Sequence, residues 1–209
     1  LINTSLILLG NGHINKEGQI LKQNNLNVKP WIFWPRRPFI MEKFLENNKI
    51  KHYSERNIES IFIGNIENSV QNQYRNNNVS WENVLEVYHC TRGTEHKFTQ
   101  LQYLEQLANA KYGLCLRGYG SKCHREVELM ALGTVPIITE TVSIDSYMDP
   151  PQENIHYIRC NDPENLKQII SKISIEEWTT MSKNCYIWYE KNVHSKNSLK
   201  NVLKNILYN

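Results

Sequence analysis

Ala110-Lys-Tyr-Gly-Leu-Cys-Leu-Arg-Gly-Tyr-Gly-Ser-Lys-Cys-His-Arg125-Glu-Val-Glu128-Leu-Met-Ala-Leu-Gly133-Thr-Val-Pro136-Ile-Ile138 is the stretch on which the fold turns. Tyr112 to Leu116 is a short, continuous apolar run of strand length. A glycine-rich loop, 117–124, follows it. Residues 123–132 then read as a helix, stopped by Gly133 in the position just past the last turn. Val135 to Thr139 is a second apolar strand. Strands that are apolar throughout, joined through a helix, belong to a parallel sheet covered on both faces.

The same alternation extends outward. Upstream, Ser60-Ile-Phe-Ile-Gly64 and Val84-Leu-Glu-Val-Tyr88 read as strands, with a helix over 68–76 between them. Phe98, Leu101, Leu104 and Leu107 recur at helical spacing and predict a helix over 97–110. Downstream, Ile155 to Ile158 reads as a fifth strand. Asp162-Pro163 is an N-cap followed by proline at the first helical position. Ser174-Ile-Glu-Glu177 is a capping box, opening a helix with Trp178, Met181, Cys185 and Trp188 on one face. A last helix carries Leu199, Val202, Leu203, Ile206 and Leu207. Before residue 58 the pattern is less regular. Leu6 to Leu9 is a strand running into Gly10-Asn-Gly12-His13, and Glu17 to Gln23 starts a helix. Three prolines in 27–40 predict an extended, irregular connection, with a short helix over 41–49. The expected fold class is therefore α/β, a Rossmann-like doubly wound parallel sheet over 58–209. A reduced N-terminal α/β part spans 1–57, and helices close the chain.

Composition narrows the function. The 209 residues carry 24 Lys+Arg against 21 Asp+Glu, a net charge of +3 that gives no case for nucleic acid. No apolar run approaches the ~20 residues of a membrane span. The five cysteines are scattered and never in C-x-x-C, so reduced thiols in a cytoplasmic compartment are expected, without a zinc site. No signal-peptide pattern is present. The chain starts at Leu1 rather than Met, which fits a piece of a longer polypeptide with neighbouring domains.

In a parallel sheet, ligands bind outside the carboxyl ends of the strands. The loops in question are 64–69, 89–97, 117–124 and 139–149. Loop 117–124 holds Gly118 and Gly120, which let backbone approach a ligand, and precedes a helix whose N-terminus favours anions. Arg117, Lys122 and Arg125 add cations. Together they form a phosphate cradle; otherwise the loop is a solvated turn with surface charges. Glu128, three residues beyond Arg125, either accepts hydrogen bonds from ribose hydroxyls or simply pairs with Arg125 along the helix. Loop 64–69 offers a second phosphate contact, or an ordinary turn and N-cap. His13 stands at a strand end where a general base would be useful. No Asp-x-Asp occurs, so the diphosphate–metal signature is missing and no metal ligand is assigned.

The central stretch resembles the nucleotide-sugar half of exostosin-like glycosyltransferases. That family follows a strand and glycine loop with Ser-x-Arg-x-x-Glu and then Gly-Cys-x-Pro-x-Ile; here Arg125, Glu128, Gly133 and Pro136 match in register. Ile61-Phe-Ile-Gly64-Asn65 is similar to its opening donor-domain strand. The resemblance spans roughly residues 58–190. It implies a GT-B architecture and transfer of a sugar from a nucleotide sugar, a UDP-sugar first and a GDP- or dTDP-sugar next, to a glycan hydroxyl, with no essential metal and no other cofactor. It places Arg125 on the diphosphate and Glu128 on the ribose. Gly64, Asn65, Arg92, Arg117, Gly118, Tyr119, Gly120, Ser121 and Lys122 complete the expected nucleotide-sugar contacts. His13 and Glu140 are the candidate bases. Departures are Cys123 for serine, Thr139-Glu140 for Ser-Asp, and an N-terminal part too short for a full acceptor domain. A non-catalytic sugar-nucleotide-binding or partner-docking module is the alternative. A dinucleotide enzyme is disfavoured because Gly118-Tyr-Gly120 lacks the third glycine of Gly-x-Gly-x-x-Gly.

Overall fold

A computed structural model of the chain describes residues 6–10, 16–66, 81–91, 97–118 and 120–208. In chain order they form β1 (Leu6–Leu9), α1 (Lys16–Gln23), β2 (Asn27–Pro30), α2 (Pro38–Asn47), β3 (Ile58–Asn65), β4 (Val87–Thr91), α3 (Gln100–Ala108), β5 (Ala110–Cys115) and α4 (His124–Ala131). Then come β6 (Val135–Ile138), β7 (Ile158–Arg159), α5 (Leu166–Ser171), α6 (Ile175–Asn192) and α7 (Ser198–Tyr208). The expected helix over 68–76 lies outside the described residues.

The five later strands form one parallel sheet in the order β4-β3-β5-β6-β7. The chain leaves β3 toward β4 on one side and returns to β5 on the other. Strand order therefore reverses between β3 and β5, and the crevice beyond their carboxyl ends is the switch point where such sheets bind ligands. β1 and β2 form a separate two-stranded parallel sheet, Leu6 opposite Asn27 and Leu9 opposite Pro30.

Side chains alternate across the large sheet and both faces are buried. Ile61, Ile63, Cys115 and Ile138 face one core with Leu104, Leu107, Val127, Met130, Cys185 and Trp188. Phe62, Tyr112, Leu114, Val135, Ile137 and Ile158 face the other with Trp81, Leu166, Trp178 and Met181. α2 contributes Met41 and Phe44 to the first core, although it precedes the boundary drawn at residue 57.

Local chemistry sets the ends. Thr99 and Ser174 cap α3 and α6 through reciprocal boxes with Gln102 and Glu177. The Asp162 side chain accepts the Glu164 N–H at 3.0 Å. Gly133 ends α4 at φ +62°, the left-handed conformation a glycine tolerates.

Several expected boundaries move. Residues 27–30, expected to be irregular, are strand β2, because Pro30 ends an edge strand where its missing N–H costs no ladder bond. α2 starts at Pro38, not 41, using proline's preset φ in its first turn. β4 starts at Val87, not 84: Trp81–Asn83 is a 3₁₀ turn, and the Val84 and Leu85 amides donate back to Trp81 O. β7 starts at Ile158, because the His156 amide closes a turn on Gln152 O at 2.9 Å. On α7, Val202 is buried, and Leu199 and Leu203 are about half exposed. No helix among the described residues is long and apolar enough to cross a membrane.

Arg56 fastens the amino edge of the sheet. Its guanidinium donates to Lys51 O, Ala110 O, Leu132 O and Thr134 Oγ1 at 2.7–3.2 Å and lies 5.1 Å from the Trp178 ring centre. Burial lowers its pKa to about 10.

Candidate functional site

At the carboxyl edge, β5 runs into the glycine-rich loop and the loop into α4. The Cys123 N–H donates to Glu126 Oε1 at 2.7 Å, which fixes the first turn of α4. This places Arg125, Glu126 and Glu128 in the interior, where all three are buried. A solvated helix face is therefore not what this segment forms.

Arg125 lies at the switch point. Its Nη2 donates to Ile63 O, near the end of β3, and its guanidinium carbon sits 4.5 Å from the Phe62 ring centre. A Cβ on Gly64 would collide with Nη2, so the glycine makes room for the guanidinium. Nε and Nη1 are buried with no hydrogen-bond partner among the described residues. Each such group costs about 1–3 kcal/mol of desolvation, more when charged. Burial penalises the charge, and neighbouring polar groups, Glu128 among them, outweigh that and hold Arg125 firmly protonated.

Glu128 does not pair with Arg125. Its Oε2 accepts the Tyr103 hydroxyl at 2.7 Å and its Oε1 the Arg36 N–H at 3.2 Å. It thus ties α3 and the segment before α2 to α4. Both oxygens hold an internal partner, each with a lone pair left for a further donor.

Glu126 is fully buried. Its Oε1 also accepts the Tyr147 hydroxyl at 3.3 Å, while Oε2 has no partner among the described residues. Burial pushes its pKa up to about 7, against the Cys123 N–H that favours the anion.

Lys122 is buried as well. Its ammonium donates to Gly10 O at 3.1 Å, past the end of β1, and lies 4.1 Å from the Tyr147 ring centre and 5.5 Å from that of Phe33. Burial lowers its pKa to about 8, partly offset by Glu126. Residues 31–36 wrap over this end of α4. His124 Nδ1 is 2.7 Å from Trp34 O, and its ring stacks on Phe33 at 5.0 Å.

The structure thus brings Gly64, Arg125 and Glu128 together, with Lys122 on the same loop. Asn65 ends β3 and is half-buried; Arg117, Gly120 and Ser121 are half-buried and Gly118 is buried. The Ser143 N–H donates to Ser121 O at 2.8 Å, joining loop 139–149 to the glycine loop. Glu140 is not joined to the cluster: it is exposed, and its amide bonds Asn161 Oδ1 at 2.8 Å, beyond β7. His13, Arg92 and Tyr119 lie outside the described residues.

Sequence reasoning missed Phe33, Tyr103, Glu126 and Tyr147. Glu126 carried a usable signal, an acidic residue three after the N-cap. The aromatics carried none, since they reach the site from distant elements. Among the described residues no group of three or more His, Cys, Asp or Glu is arranged to hold a metal ion. A cavity of about 450 Å³ lies at the opposite edge, between α2 and α3, lined by Phe44, Ile50, Lys51, Glu105 and Leu132 among others. Size alone therefore does not single out the carboxyl edge; its underbonded buried guanidinium does. Comparison with known proteins gave no matching family model and no matching curated protein.

Proposed function

We propose that this chain is the nucleotide-sugar-binding part of a GT-B glycosyltransferase similar to the exostosin-like enzymes. The observation that carries the reading is Arg125: a buried guanidinium at the switch point with two N–H-bearing nitrogens unpartnered among the described residues. A diphosphate supplies the acceptor oxygens such a group needs, in charge-assisted bonds. The N-terminus of α4, the glycine-rich loop and Gly64 beside Arg125 support the same ligand.

In the proposed reaction an acceptor hydroxyl attacks the anomeric carbon of the donor sugar. The bond from that carbon to the diphosphate oxygen breaks, and the nucleoside diphosphate leaves with the electron pair. Arg125, Arg117 and the α4 N-terminus stabilise its growing charge in place of a metal. A base takes the acceptor proton, with His13 and Glu140 the candidates. Glu128 receives the ribose hydroxyls while anchored by Tyr103 and Arg36. A UDP-sugar is the first donor to test, and a glycan hydroxyl the acceptor.

Calorimetric titration with UDP, GDP, dTDP and inorganic diphosphate tests the reading. One nucleoside diphosphate should bind, and Arg125→Ala should weaken it about ten- to a hundredfold. Transfer or hydrolysis of the matching sugar nucleotide then separates an enzyme from a binding module. Unchanged affinity in Arg125→Ala would falsify the proposed donor site.

A further inference from the structure

The same loop holds a cation in an unusual place for a donor site. Lys122 points its ammonium away from bulk water into a cage. Tyr147 forms one wall at 4.1 Å and Phe33 another at 5.5 Å, and Gly10 O is its hydrogen-bond acceptor among the described residues. Phe33 is itself held, stacked on His124 at 5.0 Å and edge-on to Tyr147 at 6.2 Å. An ammonium has three donors, and among the described residues this one uses a single carbonyl. Cation–π attraction adds to the Coulombic pull of Glu126, and such contacts strengthen on desolvation.

The cage is built from two parts of the chain. Lys122 and Tyr147 belong to loops at the carboxyl edge of the large sheet. Phe33 and Gly10 belong to the N-terminal part, whose small sheet also tethers Trp31 through Leu9 O at 3.0 Å. Lys122 is therefore a clasp between the two parts.

We infer that Phe33 and Tyr147 are positioning residues that store Lys122 against the N-terminal part, so that an incoming diphosphate and the Gly10 carbonyl compete for one ammonium. This rests on the donor reading above and adds to it a coupling. Diphosphate binding draws Lys122 out of the cage and loosens the N-terminal part; by reciprocity, a tightly docked N-terminal part weakens diphosphate binding. The N-terminal part is thereby released by the arrival of donor.

Calorimetry with inorganic diphosphate tests this on the full chain, with five proteins: wild type, Phe33→Leu, Phe33→Tyr, Lys122→Gln and Arg125→Ala. Phe33→Leu removes one wall of the cage and should tighten diphosphate about three- to tenfold. Phe33→Tyr rebuilds the wall and should restore wild-type affinity, which a merely structural role for Phe33 would not produce. Lys122→Gln should weaken binding. Hydrogen exchange on the wild type supplies a readout independent of the Phe33 variants: diphosphate should speed exchange of the Trp31 amide, and should not do so in Lys122→Gln.

Phe33→Leu binding no tighter than wild type, or Trp31 exchange that diphosphate leaves unchanged, overturns the coupling. If Arg125→Ala still weakens binding in that case, the donor site stands without the clasp. If Arg125→Ala has no effect, the donor reading and the clasp fall together.

Discussion

Arg56 and Arg125 are buried arginines at opposite edges of one sheet, and they differ in how far their bonds are met. Arg56, at the amino edge, donates to three carbonyls and a hydroxyl. Arg125, at the carboxyl edge, donates to one carbonyl and leaves two nitrogens without partners among the described residues. Each has a glycine pressed against it, Gly133 beside Arg56 and Gly64 beside Arg125. A charge buried for architecture is satisfied by the fold itself. A charge buried at cost and left underbonded is the feature on which the proposed donor site rests. Glu126, with its orphaned Oε2, belongs to the same uncompensated edge.

Removing the satisfied arginine should cost most. Arg56→Ala strips partners from Lys51 O, Ala110 O and Leu132 O, and should destabilise the fold by about 3–5 kcal/mol in urea unfolding. A loss below about 1 kcal/mol would erase the distinction between the edges.

Glu126 sharpens the contrast through pH. Its folded pKa of about 7 stands above the ordinary carboxylate value, so the native state holds a proton the unfolded chain releases. Stability from this group is full below pH ~4.5 and is lost as pH rises to about 7, by up to about 3 kcal/mol. Glu126→Gln keeps an oxygen for the Cys123 N–H and should flatten the slope across that window. An unchanged pH–stability profile in the variant would return Glu126 to an ordinary capping role.

Arg125→Met should do the reverse of Arg56→Ala. An apolar replacement of an underbonded buried charge is often neutral or stabilising. Stability should stay within about 1 kcal/mol of wild type while diphosphate affinity drops about ten- to a hundredfold. A large loss of stability with ligand binding intact would make Arg125 a second Arg56.

The two glycines give the smallest effects. Gly133→Ala forces a φ of +62° on a side chain and sets its Cβ 2.7 Å from Ile50 Cγ2, which should cost about 1–2 kcal/mol in stability. Gly64→Ala pushes the Arg125 guanidinium aside, so its first symptom should be weaker diphosphate binding, about threefold to tenfold. If thermal melts show Gly64→Ala as the more destabilising of the two, the glycines are not specialised as the arginines are.

Much of this was legible in the chain, for local reasons. Capping boxes at Ser174, the Asp162-Pro163 start and the Gly133 stop are written within a few neighbouring residues, and the structure keeps them. β2 was hidden because its pairing with β1 is non-local and its composition is that of a connection. β4 was displaced by three residues because Leu85 is buried by a turn rather than a strand, and apolar content alone does not separate the two. At the site, Arg125 and Glu128 stood out through motif spacing. Their burial did not, since an Arg and a Glu three apart read equally well as a surface pair. Phe33 and Tyr147 were invisible: nothing local announces that two rings over a hundred residues apart will meet one lysine.

The strand order has a consequence for synthesis. β3 carries Ile61-Phe-Ile63 and lies between β4 and β5, yet Ile58 pairs with Ala110, about fifty residues later. No hairpin can shelter it sooner, because every neighbour in this sheet is parallel and needs a crossover. At roughly 5–20 residues per second, the ribosome leaves that apolar run without its inner partner for several seconds. The length of that exposure is thus set by topology: a substitution that slows the formation of α3 or β5 leaves β3 uncovered for longer, although β3 itself is unchanged.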